Sequence, residues 1–346
     1  MKIAGKTHDL IENSIARDGG TSFRKALQTL LPKMEDAYRE SGERFRSHFG
    51  YSSAGDACAR KLWYSWRWVK APEFPPKILR LFNRGHLEEA RFLAMLESAK
   101  IQTWYETEDG GQFRIQDHNG HAGSALDGVV KGLPELPKDT PALVEMKTHN
   151  MNQFTKLKSK GVRSSHWKHY IQMQIYMRKM NLYYALYMAV NKNNEELHLE
   201  IVELDKEIAD RFIERAGVII YAEEAPDRIN ESASFFDCKY CDYRMVCHGF
   251  QVPEINCRTC ISSNPMGDGT WFCTRYGKEL GKQDQLTGCQ SHVFHPALLN
   301  GAMVVKDRVD DEGYLRIQWR DQLMNLGASE TEHCSSSMDL IEAYNV

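Results

Sequence analysis

"ALVEMKTHN", residues 142–150, bears on both the fold and the chemistry. Ala142 to Val144 read as the inside of a buried strand, and Glu145 and Lys147 follow two residues apart. Side chains on a strand alternate between its faces, so Glu145 and Lys147 point one way and Met146 the other. An acid and a base placed side by side on a strand leaving a core form either a plain ion pair or a metal site with a positioned lysine. The neighbouring segments discriminate between the two.

Upstream, "GSALDGVVKG" (123–132) reads as a second strand, joined to the first through "LPELPKD" (133–139), a proline-rich loop consistent with a hairpin. Asp127 sits there among apolar neighbours, where an isolated carboxylate is costly. If the strands pair, Asp127 and Glu145 converge at one end of a sheet. Two converging carboxylates repel unless a cation lies between them, and hard oxygen donors suit Mg²⁺ or Mn²⁺. Lys147 beside such a site would orient, or help deprotonate, a metal-bound water for attack at phosphorus.

Two helices flank this pair. "RGHLEEARF" (84–92) carries Arg84 and His86, with Glu89 one turn beyond His86 on the same face. "HYIQMQIYM" (169–177) carries Gln172 and Tyr176, four residues apart. Lys168, Gln172, Tyr176 and Lys179 fall on one helical face, a polar and cationic stripe where a core face would be apolar. Such donors suit phosphate contact, as does Arg84, and Tyr176 could stack on an unpaired base. Helix packing is the plainer use of the same residues.

Asp127 followed by "VEMKT" resembles the PD-(D/E)XK nuclease signature, with Leu126 where the pattern has proline. The order His86, Asp127, Glu145-x-Lys147, Gln172-x-x-x-Tyr176 is similar to the RecB-like branch, over roughly residues 50 to 250. The resemblance implies an α/β restriction-endonuclease-like core, a mixed sheet flanked by helices, that hydrolyses DNA phosphodiesters as an exonuclease. It also implies that His86 joins Asp127 and Glu145 as a metal ligand, with the Met146 carbonyl a further one. A structure-specific endonuclease, or a non-catalytic DNA-binding scaffold that keeps the fold, are the two other readings.

Eight of the nine cysteines fall into two groups of four. In the cytosol disulfides are disfavoured, so clustered cysteines point to metal. Cys238, Cys241 and Cys247 form a C-x₂-C-x₅-C run that wants a fourth thiol, and Cys58 in "DACARKLWY" lies far upstream. One early and three late cysteines resemble the iron–sulfur arrangement of CRISPR-associated RecB-like exonucleases and AddB-type nucleases, implying [4Fe–4S]. Structural zinc suits four thiols as well, and His248 could replace Cys58 in a local zinc site. Cys257, Cys260, Cys273 and Cys289 read as a zinc-ribbon-like knuckle, with His292 or His295 able to replace one thiol and a second iron–sulfur cluster the other option. Cys334 is left as a plain thiol.

The bulk numbers fit this picture. The 346 residues are 42% hydrophobic and 26% charged, an ordinary globular composition. Neither a membrane-length apolar run nor a signal-peptide core occurs, which predicts a cytoplasmic protein. The net charge of −3 conceals segregation: residues 147–192 hold nine Lys or Arg and no acid, whereas 195–237 hold thirteen acids and four bases. A cationic surface for DNA follows, with a helicase, recombination or CRISPR-adaptation factor as a further partner class. The predicted organisation is a helical segment at 1–50, the nuclease core with its split cysteine cluster at 51–250, and a small cysteine-rich metal module at 251–346.

Overall fold

The computed structural model describes residues 1–34, 44–306, 314–328, 331 and 333–345. Its strands are β1 (Lys2–Ile3), β2 (Phe49–Gly50), β3 (Gln102–Trp104), β4 (Arg114–Asp117), β5 (Ala122–Ala125), β6 (Gly128–Lys131), β7 (Pro141–His149), β8 (Tyr184–Asn191) and β9 (Leu197–Glu203), followed by six short ones. Those six are β10 (Ser263–Pro265), β11 (Trp271–Cys273), β12 (Lys278–Glu279), β13 (Met303–Lys306), β14 (Leu315–Trp319) and β15 (Gln322–Leu326). The long helices are α1 (Gly5–Asp18), α2 (Thr21–Leu30), α3 (Ala59–Trp66), α4 (Pro76–Ser98), α5 (Met151–Ser165), α6 (Trp167–Met180) and α7 (Lys206–Ile220). Four shorter helices follow: α8 (Phe236–Lys239), α9 (Arg244–Cys247), α10 (Lys282–Thr287) and α11 (Ser337–Tyr344).

The central sheet has the order β1-β9-β8-β7-β6-β3. Only β7 and β8 pair in parallel, because α5 and α6 cross over between them. The sheet is thus mixed and flanked by helices, as the sequence predicts. Ala142, Val144 and Met146 face a core built with α1, α2 and α4; Leu143 faces the opposite core, built with α3, α6 and α7. Burial on both faces explains the unbroken apolar start of β7. Glu145, Lys147 and His149 share Leu143's side of the strand.

The sequence expectations differ from the structure at several places. The stretch 123–132, read as one strand, divides between two sheets. β5 pairs with β2 and β4, while β6 enters the central sheet. The break falls at Leu126–Asp127, before Gly128 at φ +155°. In the segment 1–50, predicted as helical, α2 gives way at Leu31, 35–43 lies outside the described residues, and 49–50 is strand. Residues 2–3, read as helical, form an edge strand against β9. Helix α7 ends at Ile220, before Pro226. Glu223 and Glu224 would oppose the negative C-terminal end of its dipole, and Pro226 disfavours helix in the preceding residue. Cys58 itself caps α3, accepting from Lys61 N at 3.4 Å, and Asp56 accepts from Cys58 N at 3.1 Å.

Beyond residue 251, Trp271, Cys273, Leu280 and Leu298 pack into the same core as Trp63 and Trp66 of α3. The β13–β15 meander and α11 enclose a separate cluster around Ile317, Trp319 and Leu340. No helix among the described residues is long and apolar enough to cross a membrane.

Candidate active site

The hairpin β6–β7 pairs Gly128 with Val144, so β6 stops just as β7 reaches Glu145. Asp127, one residue before β6, takes over from the ladder: its Oδ2 accepts from Met146 N at 2.8 Å. The two carboxylate residues are thereby brought together.

Glu145 is fully buried. One carboxylate oxygen accepts from Lys147 Nζ, and the other from Gln172 Nε2 at 3.1 Å. Gln172 Nε2 also donates to the Tyr176 hydroxyl at 3.2 Å, and that hydroxyl donates to Ser124 Oγ on β5. Strand β7, helix α6 and strand β5 are therefore linked through one polar chain. Burial lifts the Glu145 pKa to about 7, Asp127 adding to the lift and Lys147 opposing it. Burial alone would lower the Lys147 pKa, but Glu145 and Asp127 outweigh it and hold the side chain as ammonium. The pair thus sets one cation against a concentration of carboxylate.

A cleft of about 960 Å³ opens beside Asp127, lined by His86, Glu89, Ser124, Asp127, Gln172 and Tyr176. It continues past His86 and Glu89 into a second depression of about 410 Å³ that reaches Met146, Lys147 and His149. His86 comes from α4, in the helical layer opposite α6, and its Nδ1 is buried with no hydrogen-bond partner. An imidazole nitrogen and carboxylate oxygens are donor types that a hard divalent ion takes, but as placed, and among the described residues, these side chains do not stand in a metal-holding group.

The stripe on α6 is engaged differently from the sequence reading. Tyr176 and Gln172 are buried, so Tyr176 offers no ring to a base. Lys168 pairs with Asp56 at 2.6 Å and Lys179 with Asp117 at 2.8 Å. Arg84 donates to the Lys192 carbonyl at 3.4 Å and lies 3.7 Å from Glu195. The cations on the clefts are instead Lys33, Arg46 and Arg114 on one side and Lys147 and Lys192 on the other. Of these only Lys147 was singled out from sequence. Lys192 closes the basic run, while Lys33, which pairs with Glu106 at 2.6 Å, Arg46 and Arg114 come from segments with no shared local pattern.

Sequence reading also missed a histidine cluster beside Lys147. Ring centroids lie 4.3 Å apart for His149–His166, 5.4 Å for His166–His169 and 5.7 Å for His149–His169. His149 Nε2 and His169 Nδ1 each pair with the Tyr187 hydroxyl at 2.8 Å. Burial first, then Lys147 and the neighbouring imidazoles, push His169 down to about 2 and His149 down to about 3. Below pH 6.5 the unfolded chain takes up protons that the folded chain refuses, so stability is lost as pH falls from about 6.5 through about 3. His292, buried, and His295, half-buried, are both held at about 4 and act in the same direction. Thermal unfolding should show a clearly lower midpoint at pH 5 than at pH 7; equal midpoints would remove these histidines from the energetics.

Cys58, Cys238, Cys241 and Cys247 all line one cavity of about 250 Å³, with His248. Cys257, Cys260, Cys273 and Cys289 line another of about 20 Å³. None of the eight is in a disulfide. Cys257 is pushed up to about 12 by burial and by the three sulfurs around it. Among the described residues no three His, Cys, Asp or Glu side chains stand in a metal-holding group.

No protein-family model and no curated protein sequence matches the chain. Among solved structures it is similar to SSO0001, with 13% identity and a TM-score of 0.37 over 65% of this chain and 95% of that one. LHK-Exo in complex with dAMP gives 15% identity and a TM-score of 0.35 over 50% of this chain and 86% of that one. The alkaline exonuclease LHK-Exo from Laribacter hongkongensis gives 14% identity and a TM-score of 0.33 over the same shares, 50% and 86%.

Proposed function

We propose that the chain is a Mg²⁺- or Mn²⁺-dependent deoxyribonuclease of the PD-(D/E)XK type, RecB-like branch, acting as an exonuclease. The observation that carries this reading is the meeting of Asp127, Glu145 and Lys147 at the end of the β6–β7 hairpin, where Asp127 lines a cleft with His86. Asp127, Glu145, His86 and the Met146 carbonyl would hold the ion. Once bound, it supplies a Lewis acid that lowers the pKa of water and neutralises charge on the phosphoryl oxygens. Lys147 orients the attacking water and offers positive charge where negative charge develops. Gln172 fixes the Glu145 carboxylate, and Tyr176 with Ser124 fixes Gln172. Arg114, Arg46 and Lys192 bring cations to the cleft walls, where a phosphate backbone would lie.

The cavity shared by Cys58, Cys238, Cys241 and Cys247 supports a [4Fe–4S] cluster there. A single zinc ion needs all four sulfurs drawn onto one atom, while about 250 Å³ leaves room for a polynuclear group. Such a group would tie the start of α3 to α8 and α9 across the core.

Intact Asp127, Glu145 and Lys147 favour an enzyme over a binding scaffold. Exonuclease and structure-specific endonuclease separate on topology. Covalently closed single-stranded circles should survive in Mn²⁺ while the same sequence made linear is degraded. Circles cut as fast as linear strands would replace the exonuclease reading with the endonuclease one.

A further inference from the structure

The second cysteine quartet plays no part in the chemistry above, and its surroundings give it a different task. We propose that Cys257, Cys260, Cys273 and Cys289 hold one zinc-class ion, and that this ion fixes the turn that carries Arg258 into a tryptophan cage, docking the C-terminal segment onto α3. The inference is independent of the nuclease reading.

The four thiols come from a single turn at Cys257–Thr259 with Cys260 after it, from β11, and from the loop following α10. All four are among the residues lining a cavity of about 20 Å³, room for one atom-sized occupant, with Cys257 Sγ donating to the Asp284 carbonyl at 3.2 Å; binding an ion would draw the four sulfurs together. A C-x₂-C turn with two later cysteines is a zinc-ligand arrangement, and four thiols binding Zn²⁺ release their protons to solvent. His292 also lines the cavity, but its nitrogens are already used. Nδ1 pairs with Ser337 Oγ at 2.8 Å, and Nε2 lies 3.1 Å from the Asn256 carbonyl and 3.2 Å from Thr259 Oγ1. His295 lines a different cavity. The ligand set is therefore the four thiols.

Arg258 lies between the first two of them and is 2% exposed. Its guanidinium carbon stands 3.8 Å from the Trp68 ring centroid, 4.4 Å from Trp66 and 4.6 Å from Trp271. Its nitrogens donate to the Ser47 carbonyl at 2.7 Å, the Trp66 carbonyl at 3.1 Å and Gln285 Oε1 at 2.9 Å. No carboxylate is among these partners. A buried guanidinium held only by carbonyls, an amide and ring faces requires donors and rings to stay in register. Trp66 and Trp68 belong to α3 and the turn after it, while Trp271, Gln285 and Arg258 come from the cysteine-rich segment. That segment has only two- and three-residue strands of its own, too little backbone pairing to hold the register alone.

The test uses the full chain, reconstituted with Zn²⁺ alone, and the Cys257→Ser/Cys260→Ser variant treated alike. Elemental analysis should find one zinc fewer in the variant; equal content, or no zinc retained by the native chain, overturns the site. Should that variant fail to fold, Arg258→Met decides. Stripping zinc from the native chain with a chelator should shift tryptophan emission to the red as the cage opens. Arg258→Met should keep its zinc, emit at the red-shifted position already, and shift no further on stripping. Native emission that does not move, or an equal shift on stripping in Arg258→Met, overturns the docking role.

Discussion

Lys147→Met should lower the rate of DNA hydrolysis by on the order of 10²–10³, with DNA binding nearly unchanged. The ammonium is the one basic group bonded to Glu145, and it sits where the strand leaves the core. Removing it deletes the charge placed to meet the reacting phosphate. It also leaves the Glu145 carboxyl in a buried site, supported only by Gln172, so its pKa climbs from about 7 and the carboxylate form is lost at neutral pH. Both effects act on the chemical step. Lys147→Arg should not restore the rate, because a planar guanidinium cannot occupy the position of a compact ammonium. Single-turnover kinetics on a labelled single strand measures this. A variant within tenfold of the native rate would remove Lys147 from the mechanism.

Gly128→Ala should disable the site through the backbone. A Cβ at position 128 would lie 2.8 Å from the Trp104 carbonyl oxygen and 3.3 Å from Val144 Cγ1, at a φ of +155°. Trp104 cannot give way without breaking the β3–β6 pairing, in which it faces Val129. Backbone strain alone costs roughly 1–3 kcal/mol, and the clash adds to it. The relief available is to move the chain at Asp127, which would break its bond to Met146 N. The expected result is a lower unfolding midpoint together with a rate loss comparable to that of Asp127→Asn. A variant matching the native chain in both would show that the bend does not position Asp127.

The strand carrying Glu145 and Lys147 was legible because two rules coincide there: a fully apolar run marks a central strand, and period-two alternation places its polar residues on one face. The hairpin loop then made Asp127 a neighbour. His86, Gln172 and Tyr176 could be named only by resemblance, since each alone is an ordinary helix residue. The split of 123–132 between two sheets was not legible, because the same small and apolar residues serve either sheet and Gly128 does not announce its φ. The cations on the cleft walls were also hidden. Lys33, Arg46 and Arg114 are far apart in the chain, and tertiary packing gathers them around the cleft; Lys192, also on its wall, closes the basic run. The basic run at 147–192 pointed to Lys168 and Lys179, but the structure gives both a carboxylate partner.

On the proposed mechanism Asp127 and Glu145 hold the divalent ion with which the chain cuts DNA. This is tested most directly by following nucleotide release from an end-labelled linear single strand, with Mn²⁺ or with chelator, for the native chain and for Glu145→Gln. The predicted result is release by the native chain in Mn²⁺ only, and none by Glu145→Gln under either condition. Release that persists in chelator, or that Glu145→Gln matches, would contradict it.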